Sequence, residues 1–306
     1  MNNLYTSVEI LGGLGNQLFQ LAYMIYFLRL SKKQKIKRKL IFKREDNVTT
    51  DTATATSTAA SHYWNTIFKG LFRVIASEEY KNIPFHIYHA DLDNNHKYPE
   101  PPYKANNEHV FLKGKYQTFK YIDDMLRDKM INIVYSNEDI MYSAYYKYRD
   151  ILNYFGNNTK DNDMVSLHIR RKDTGYILDM SYHEEALRIA NKKNVVVFSD
   201  DIEWCISNFN DYVNKDTKDS NENKYNIYYI SDKIFKEEEL STKAEIEFIL
   251  MSMFKNNIIA NSYFSLWASF ISYYKTKIVI APKCWYSLDC SRECGELYHK
   301  YITHII

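Results

Sequence analysis

The amino-acid sequence predicts an α/β protein built from two lobes, and three observations lead to this expectation. A Gly-rich turn, Gly12–Gly15, joins a short apolar run to a long apolar segment, the pattern that opens a βα unit. From Met164 onward, short apolar runs alternate with helix-like segments, which is typical of a parallel sheet with helices on both faces. Between these regions lies a polar, turn-rich linker, Asn157–Asp163. We therefore expect lobes at residues 1–160 and 161–306, with a cleft between them.

Composition limits the class of protein. With 306 residues, of which 45% are apolar, the chain can bury a sizeable core, which excludes wholesale disorder. The 40 basic residues nearly balance 38 acidic ones, and a net charge of +2 argues against a nucleic-acid-binding protein. The N-terminal sequence is polar and unlike a signal peptide, and the apolar run Leu18–Leu30 is too short to cross a bilayer. We therefore expect a cytoplasmic protein without a membrane anchor.

The first half of the chain alternates between clear elements and irregular stretches. Val8–Leu11 is expected to form a strand and Asn16–Leu30 a buried helix. The stretch Asp46–Ser61 is small, polar and low in complexity, which predicts a surface loop. Phe85–Tyr103 is rich in Pro, Asn and His and is expected to be irregular. A second strand and a second helix are expected at Val110–Tyr116 and Phe119–Met130.

The second half is more regular and predicts a complete parallel sheet. Buried strands of such a sheet are continuous apolar runs, because helices cover both of its faces. The expected strands are Met164–Ile169, Val195–Phe198, Ile227–Ile230, Ile258–Ala260 and Ile278–Ile280. The expected helices are Tyr182–Asn191, a segment that begins after Asp201, Lys243–Met253 and Ser265–Tyr274.

Polar side chains cluster where these strands end, which is where open parallel sheets bind ligands. Arg170 and Arg171 follow the first strand, and their guanidinium forks match phosphate oxygens. Asp200 and Asp201 follow the second strand and would accept hydrogen bonds from a guanine base. Hydroxyls and backbone amides at a helix start, after the fourth strand, suit anionic oxygens; the residues concerned are Asn261, Ser262 and Ser265.

Each of these groups also has a structural interpretation. Adjacent arginines are commonly solvated, and Ser and Asp are favoured helix N-caps whether or not a ligand is present. The recurrence of polar groups at consecutive strand ends nevertheless predicts a protein that uses or binds a nucleotide.

The motifs resemble, in order along the chain, those of glycosyltransferase family 11, the α-1,2-fucosyltransferases. GGLGNQLFQLA at Gly12–Ala22 resembles the family's N-terminal turn and helix, and HIRRKD at His168–Asp173 resembles a motif shared with α-1,6- and protein O-fucosyltransferases. The resemblance runs from about residue 8 to about residue 286. It includes four further segments: Gly114–Gln117, Ser199–Cys205, Asn261–Phe270 and Ala281–Tyr286.

The resemblance implies a GT-B fold of two Rossmann-like lobes, with the acceptor bound mostly by the N-terminal lobe and the donor mainly by the C-terminal lobe. It also implies inverting transfer of L-fucose from GDP-fucose to the 2-hydroxyl of a terminal galactoside, without a metal or another cofactor. Two alternatives stay open. One is a fucosyltransferase of another linkage or acceptor class, because donor motifs are shared. The other is a non-catalytic GDP-sugar- or glycan-binding protein on the same fold.

The resemblance also implies roles for individual residues. Arg170 would contact the β-phosphate, with Arg171 in a supporting role. Asp173 would be the general base for the acceptor hydroxyl, or would instead hold the arginine pair in place. His168 would lie by the nucleoside, and Asp200 or Asp201 would hold the guanine. Asn261, Ser262 and Ser265 would contact the diphosphate or fucose, and the acceptor-side loop would comprise Gly12, Gly13, Gly15, Asn16 and Gln17.

A cluster of cysteines near the C-terminus contains residue types that bind zinc. Cys284, Cys290 and Cys294 lie close in sequence to His299, but their spacings do not match the paired Cys-x2-Cys pattern of zinc sites. We therefore expect no metal there, and a disulfide only in an oxidising compartment.

Without an anchor or leader, a microbial or viral origin is the simpler expectation.

Overall fold

The computed structural model describes most of the chain, and the structural statements below concern that part. The predicted loop at residues 46–61 lies outside it, as does Asp173. The described residues are 4–43, 63–64, 66–69, 71, 74–75, 80–90, 100–102, 105, 107–156, 158–172, 174–214, 225–274, 277–286 and 296–306.

The chain divides into two compact units. Unit 1 comprises Met1–Asn137 and Gly295–Tyr298, and unit 2 comprises Glu138–Cys294 and His299–Ile306. The predicted lobe boundary at residue 160 thus falls inside unit 2. The reason is the helix Glu138–Phe155, which the sequence analysis did not predict and which packs within unit 2.

Unit 1 is built on a four-stranded parallel sheet. Its strand order is β2-β1-β6-β5, and Thr6 of β1 lies opposite Leu40 on one side and Val110 on the other. A separate parallel pair joins β3 to β4. The strands are β1 (Leu4–Val8), β2 (Arg38–Leu40), β3 (Phe42–Lys43), β4 (Val74–Ile75), β5 (Phe85–His89) and β6 (His109–Lys113).

Two helices complete the described core of unit 1. Helix α1 (Leu14–Lys33) is apolar over most of its length and ends on Lys32 and Lys33, whose charges suit the negative end of the helix dipole. Helix α2 (Asp124–Val134) begins at Asp123, whose carboxylate accepts from the Leu126 amide at 2.8 Å. The same carboxylate binds both Nη atoms of Arg29 at 2.7 Å, which ties the two helices together and lowers the pKa of Asp123 to about 2.

Unit 2 is built on a six-stranded parallel sheet in the order β12-β11-β10-β7-β8-β9. Read from β9, this is the strand order of the Rossmann fold, 3-2-1-4-5-6, with β7 as the first strand. The strands are β7 (Met164–Ile169), β8 (Asn194–Ser199), β9 (Asn226–Tyr229), β10 (Asn256–Ile258), β11 (Ile278–Ala281) and β12 (His304–Ile305).

Helices flank this sheet and bury its strands. All six residues of β7 are buried, as expected of a strand covered on both faces. One face packs on α4, where Val165, Leu167 and Ile169 meet Ala186 and Leu187. The helices of unit 2 are α3 (Glu138–Phe155), α4 (Met180–Ala190), α5 (Ile202–Trp204), α6 (Asn210–Val213), α7 (Lys243–Ser252) and α8 (Tyr263–Ile271), with a π-helical turn, Cys205–Phe209, between α5 and α6.

The predicted fold class is confirmed, because the chain is α/β and each unit carries a parallel sheet. Some local expectations are wrong. The start of the segment expected to be irregular is β5, an edge strand, and the first strand lies at Leu4–Val8 rather than Val8–Leu11. The arrangement of two lobes about a cleft stays a prediction, as does the cytoplasmic location. Among the described residues, no helix has both the length and the apolar character that a bilayer span requires.

Candidate active site

The unit 2 sheet has a single reversal of strand order, between β7 and β10. Parallel α/β sheets bind ligands at such a reversal, outside the carboxyl ends of the strands. The loop after β7 begins with Arg170 and Arg171, and the turn after β10 carries Asn261 and Ser262. The topology therefore places the predicted arginine pair beside the predicted Asn-Ser turn.

Arg170 is held by Asp200, which follows the neighbouring strand β8. Its Nε lies 3.2 Å from Oδ2 of Asp200, and its side chain is 29% exposed. No partner is seen for the two Nη atoms of Arg170 within the described residues. A forked pair of donors is thus left available at the switch point, in the geometry that suits phosphate oxygens.

Arg171 has a different environment from Arg170. Its guanidinium carbon lies 3.5 Å from the centroid of the Trp204 ring, a close cation–π contact. Its Nε is buried without a hydrogen bond and lies 3.8 Å from Asp201, a carboxylate that also pairs with the Nζ of Lys172 at 3.3 Å. Packing on Trp204 fits the supporting role that the resemblance implied for Arg171.

Asn261 joins two loops at this edge of the sheet. Its Nδ2 donates to the carbonyls of Tyr176 at 2.9 Å and Trp285 at 3.0 Å, in the loops after β7 and β11. The Oδ1 atom is buried and has no hydrogen-bond partner in the described part of the chain. Asn261 therefore fixes loop positions with its amide nitrogen, and its oxygen is an unused acceptor.

The two serines at the start of α8 differ in accessibility. Ser262 occupies the N-cap position and is half-buried, and no side-chain cap bond uses its hydroxyl. Ser265 is fully buried, and its hydroxyl donates to the Ser262 carbonyl at 3.3 Å. The hydroxyl of Ser265 thus has a partner in the first turn of the helix, and Ser262 is the more accessible of the two; contact of either with a ligand stays a prediction.

His168 is buried in β7, two residues before Arg170. Its ring lies 6.0 Å from the ring of Phe264 in α8. Burial, the positive charge of Arg170 and the nearby His183 lower the pKa of His168 to about 3. The imidazole is therefore neutral at physiological pH, so His168 contributes no positive charge toward a phosphate.

Glu247 is a buried carboxyl group that the sequence analysis did not single out. It lies in the first half of α7, and its side chain is 16% exposed. Burial raises its pKa to about 7, although Lys243, with Nζ at 3.6 Å, lowers it. The next residue, Phe248, contacts Phe264 in α8, with ring centroids 5.1 Å apart. The only signal in the sequence is an acidic residue inside an apolar helix.

The Gly-rich turn of unit 1 forms a self-contained hydrogen-bonded structure. Gly12 adopts a φ of 77°, which favours glycine, and an added Cβ would lie 2.8 Å from Nδ2 of Asn16. Gln17 is fully buried and donates to the Gly12 carbonyl at 2.7 Å. The side chain of Gln17 therefore holds the turn, and a role for it toward a ligand stays a prediction. Gly13 is exposed at the N-cap of α1, and Gly15 is buried in its first turn.

Asn16 remains partly accessible beside this turn. Its Oδ1 accepts from Nε2 of Gln117 at 2.7 Å, which joins the first turn of α1 to the loop after β6. Gln20, which the sequence analysis did not assign, accepts from the Leu11 amide and donates to the Gly114 carbonyl. These two contacts organise the carboxyl edge of the unit 1 sheet, where the strand order also reverses, between β1 and β6.

The cysteine cluster offers no thiolate at Cys284, because that residue is disulfide-bonded. Cys290 and Cys294 lie outside the described residues, and His299 Nε2 lies 3.0 Å from the hydroxyl of Ser269. Across the part of the chain that the structure describes, no group of three or more His, Cys, Asp or Glu side chains is placed to hold a metal ion.

Comparison with known protein families identifies the chain's relatives. The family described as Glycosyl transferase family 11 matches residues 3–301, nearly the whole chain. The chain belongs to glycosyltransferase family 11. The resemblance stated from the motifs is thereby confirmed.

Two curated relatives come from Escherichia coli. The O-antigen biosynthesis glycosyltransferase WbnK is 30% identical over 202 residues, which covers 60% of this chain and 59% of the relative. An alpha-1,2-colitosyltransferase is 35% identical over 140 residues, which covers 41% of this chain and 42% of the relative. The matched regions thus span less than two thirds of either relative.

Solved structures with similar folds include several fucosyltransferases. Fucosyltransferase NodZ from Bradyrhizobium has a TM-score of 0.48 at 10% identity, covering 88% of this chain and 93% of that chain. An Arabidopsis thaliana FUT1 mutant in complex with GDP has a TM-score of 0.46 at 12% identity, and the match covers 89% of this chain and 69% of that chain.

Proposed function

We propose that this family 11 protein transfers L-fucose from GDP-fucose to the 2-hydroxyl of a terminal galactoside, with inversion to an α-1,2 linkage. The observation that carries the proposal is the placement of Arg170. Its guanidinium sits at the switch point of a Rossmann-ordered sheet, with Nε held by Asp200 and no partner at either Nη within the described residues. Such a site suits the diphosphate of a nucleotide sugar.

The chemistry of transfer requires stabilisation of the leaving group. As the acceptor oxygen attacks the anomeric carbon, the bond from that carbon to the β-phosphate oxygen breaks, and GDP leaves with the electron pair. Arg170 would neutralise the charge that develops on the diphosphate. The N-terminus of α8, with the unused hydroxyl of Ser262, adds amide and hydroxyl donors for the same oxygens.

The acceptor proton needs a base as the new bond forms. We assign this role to Asp173, which follows the arginine pair by two residues. The alternative role for Asp173, holding the arginines in place, stays open, because Asp173 lies outside the described residues. On the acceptor side, Asn16 is the accessible polar residue of the Gly-rich turn.

A second candidate donor follows from the relatives. One of them is named an alpha-1,2-colitosyltransferase. Colitose is fucose without the 3-hydroxyl, so the two sugars differ in one hydrogen-bonding group. A site that binds the 3-hydroxyl rejects an analogue that lacks it by about 10⁴- to 10⁵-fold, so this group decides between the donors.

The test is release of GDP from GDP-fucose in the presence of lactose or N-acetyllactosamine and EDTA. GDP-mannose, UDP-galactose and the GDP-activated 3-deoxy sugar serve as competing donors. The expected result is turnover with GDP-fucose and with none of the other donors, followed by NMR assignment of an α-1,2 linkage in the product. Another linkage in the product would support the other acceptor classes. If the protein binds GDP tightly but produces no GDP from any sugar donor, a non-catalytic binder is favoured. If it does not bind GDP, the proposal is overturned.

A further inference from the structure

Asp200 makes an unusual set of contacts for a residue expected to bind a ligand. Its Oδ1 accepts from the backbone amide of Arg171 at 2.8 Å, and its Oδ2 accepts from the amide of Lys172 at 2.9 Å. The same Oδ2 lies 3.2 Å from Nε of Arg170. One carboxylate on the loop after β8 thus binds three consecutive residues of the loop after β7.

These contacts compete with the guanine role that the sequence suggested. A guanine base donates to a carboxylate through two parallel N–H groups, and such a contact uses one lone pair on each oxygen. In Asp200 both oxygens already accept from adjacent backbone amides in that parallel arrangement. Within the described residues, the neighbouring Asp201 carboxylate makes longer contacts, 3.3 Å to Lys172 and 3.8 Å to Arg171, so it is the better candidate for the base.

We propose that Asp200 is a positioning residue that aims Arg170 at the donor diphosphate. The inference rests on the proposed function. The ion pair at Nε holds the guanidinium beside the Asp200 carboxylate, and both Nη atoms, for which no partner is seen within the described residues, are left for two phosphate oxygens. By binding the amides of Arg171 and Lys172, Asp200 fixes the backbone from which Arg170 extends.

An uncharged isostere at position 200 cannot make the same set of contacts as the Asp200 carboxylate. In an Asp200→Asn variant, the amide oxygen still accepts from one backbone N–H, but the amide nitrogen carries two donors and meets the other N–H with like polarity. In either orientation of the amide the loop must then shift, and the negative charge that pairs with the Arg170 guanidinium is lost. A displacement of about 1 Å in such a contact can cost about 10²-fold, so we expect a large effect on the diphosphate contact alone.

The experiment compares GDP with GMP binding by calorimetry, because only GDP carries the β-phosphate. Asp200→Asn is expected to weaken GDP binding by about 10- to 100-fold and GMP binding by less than about threefold. Equal weakening of both ligands would place Asp200 at the base or the α-phosphate and overturn the inference, as would unchanged GDP binding. Failure of the wild type to bind GDP would instead overturn the proposed function, and the inference with it.

Two further variants keep the test decisive. If Asp200→Asn does not fold, judged by circular dichroism and thermal melting, Asp200→Glu retains the charge and displaces the carboxylate, and the same selective loss of GDP binding is expected. In an Arg170→Ala background, changing Asp200 should add less than about threefold, because the two residues act as one unit. Additive losses would contradict a role through Arg170. Glu185→Gln, an exposed carboxylate paired with Arg188 on α4, is the matched control for loss of one charge.

Discussion

Glu247→Gln is expected to stabilise the protein increasingly as pH rises. The side chain of Glu247 is 16% exposed, and burial raises its pKa from 4.5 to about 7. The opposing effect of Lys243, 3.6 Å away, is too small to cancel that burial. The native protein therefore holds a proton on this group at pH values where the unfolded chain has released it.

The magnitude follows from the difference between the two pKa values. Below the unfolded pKa, both states are protonated and the group has no effect on the free energy of unfolding. As pH rises toward the native pKa, the unfolded state ionises first, so the folded state loses stability; above it, the penalty is constant. At 1.36 kcal/mol for each pKa unit, a rise from 4.5 to about 7 amounts to about 3 kcal/mol. A glutamine at position 247 does not ionise and escapes this penalty.

Urea denaturation followed by circular dichroism measures the effect. The free energy of unfolding of Glu247→Gln minus that of the wild type should grow by about 2 to 3 kcal/mol between about pH 5 and about pH 8. Glu185→Gln, which removes an exposed carboxylate, is the control for the loss of one acidic group. If the free energies of unfolding of the wild type and of Glu247→Gln change with pH in parallel over this interval, the native pKa of Glu247 is not raised and the reasoning is wrong.

Three further outcomes are expected. Arg170→Ala should weaken GDP binding by about 10²- to 10⁴-fold, because two charge-assisted bonds of about 1.5 to 3 kcal/mol each are lost; calorimetry showing a loss below threefold would reject the phosphate role. Gly12→Ala should cost about 1 to 2 kcal/mol of stability in thermal melts, because its φ is 77°, whereas Gly13→Ala, at an open position with extended backbone, should cost much less. Lys147→Met should cost about 1 to 3 kcal/mol in urea denaturation, because the half-buried Glu239 loses its ion-pair partner and keeps the hydrogen bond from the Lys236 amide. Adding Glu239→Leu should recover part of that loss.

Strands covered on both faces were the easiest elements to predict from the sequence. Met164–Ile169 was predicted with its observed bounds, because every one of its residues is buried and most are apolar. The next central strand, β10, was predicted two residues late because it begins with Asn256 and Asn257. Both asparagines are buried, and their amides donate to the carbonyls of Met164 and Phe254. Polar residues that are satisfied inside a core carry no hydrophobic signal, so pattern analysis omits them.

The candidate site was predictable in position but not in the role of each residue. Strand ends and residue types located Arg170, Asp200 and Ser265 at one edge of the sheet. Whether a polar group contacts a ligand depends on what already binds it, and this is a property of the folded loops. Asp200 and Ser265 bond to neighbouring backbone, as does Gln17 in unit 1. Internal and ligand-binding polar residues look alike in a sequence.

The C-terminal residues 295–306 contribute to both units, so neither unit can be completed until late in synthesis. Gly295–Tyr298 belongs to unit 1, where the Glu296 carbonyl accepts from the hydroxyl of Thr118, whereas His299–Ile306 supplies the edge strand of unit 2. During synthesis, N-terminal regions emerge and begin to fold first. Unit 1 nevertheless lacks one of its pieces until residue 298 has been translated, and unit 2 until residue 306. A fragment ending at residue 137 would therefore be an incomplete folding unit, and expression of the two halves from separate genes would have to supply residues 295–298 to the first.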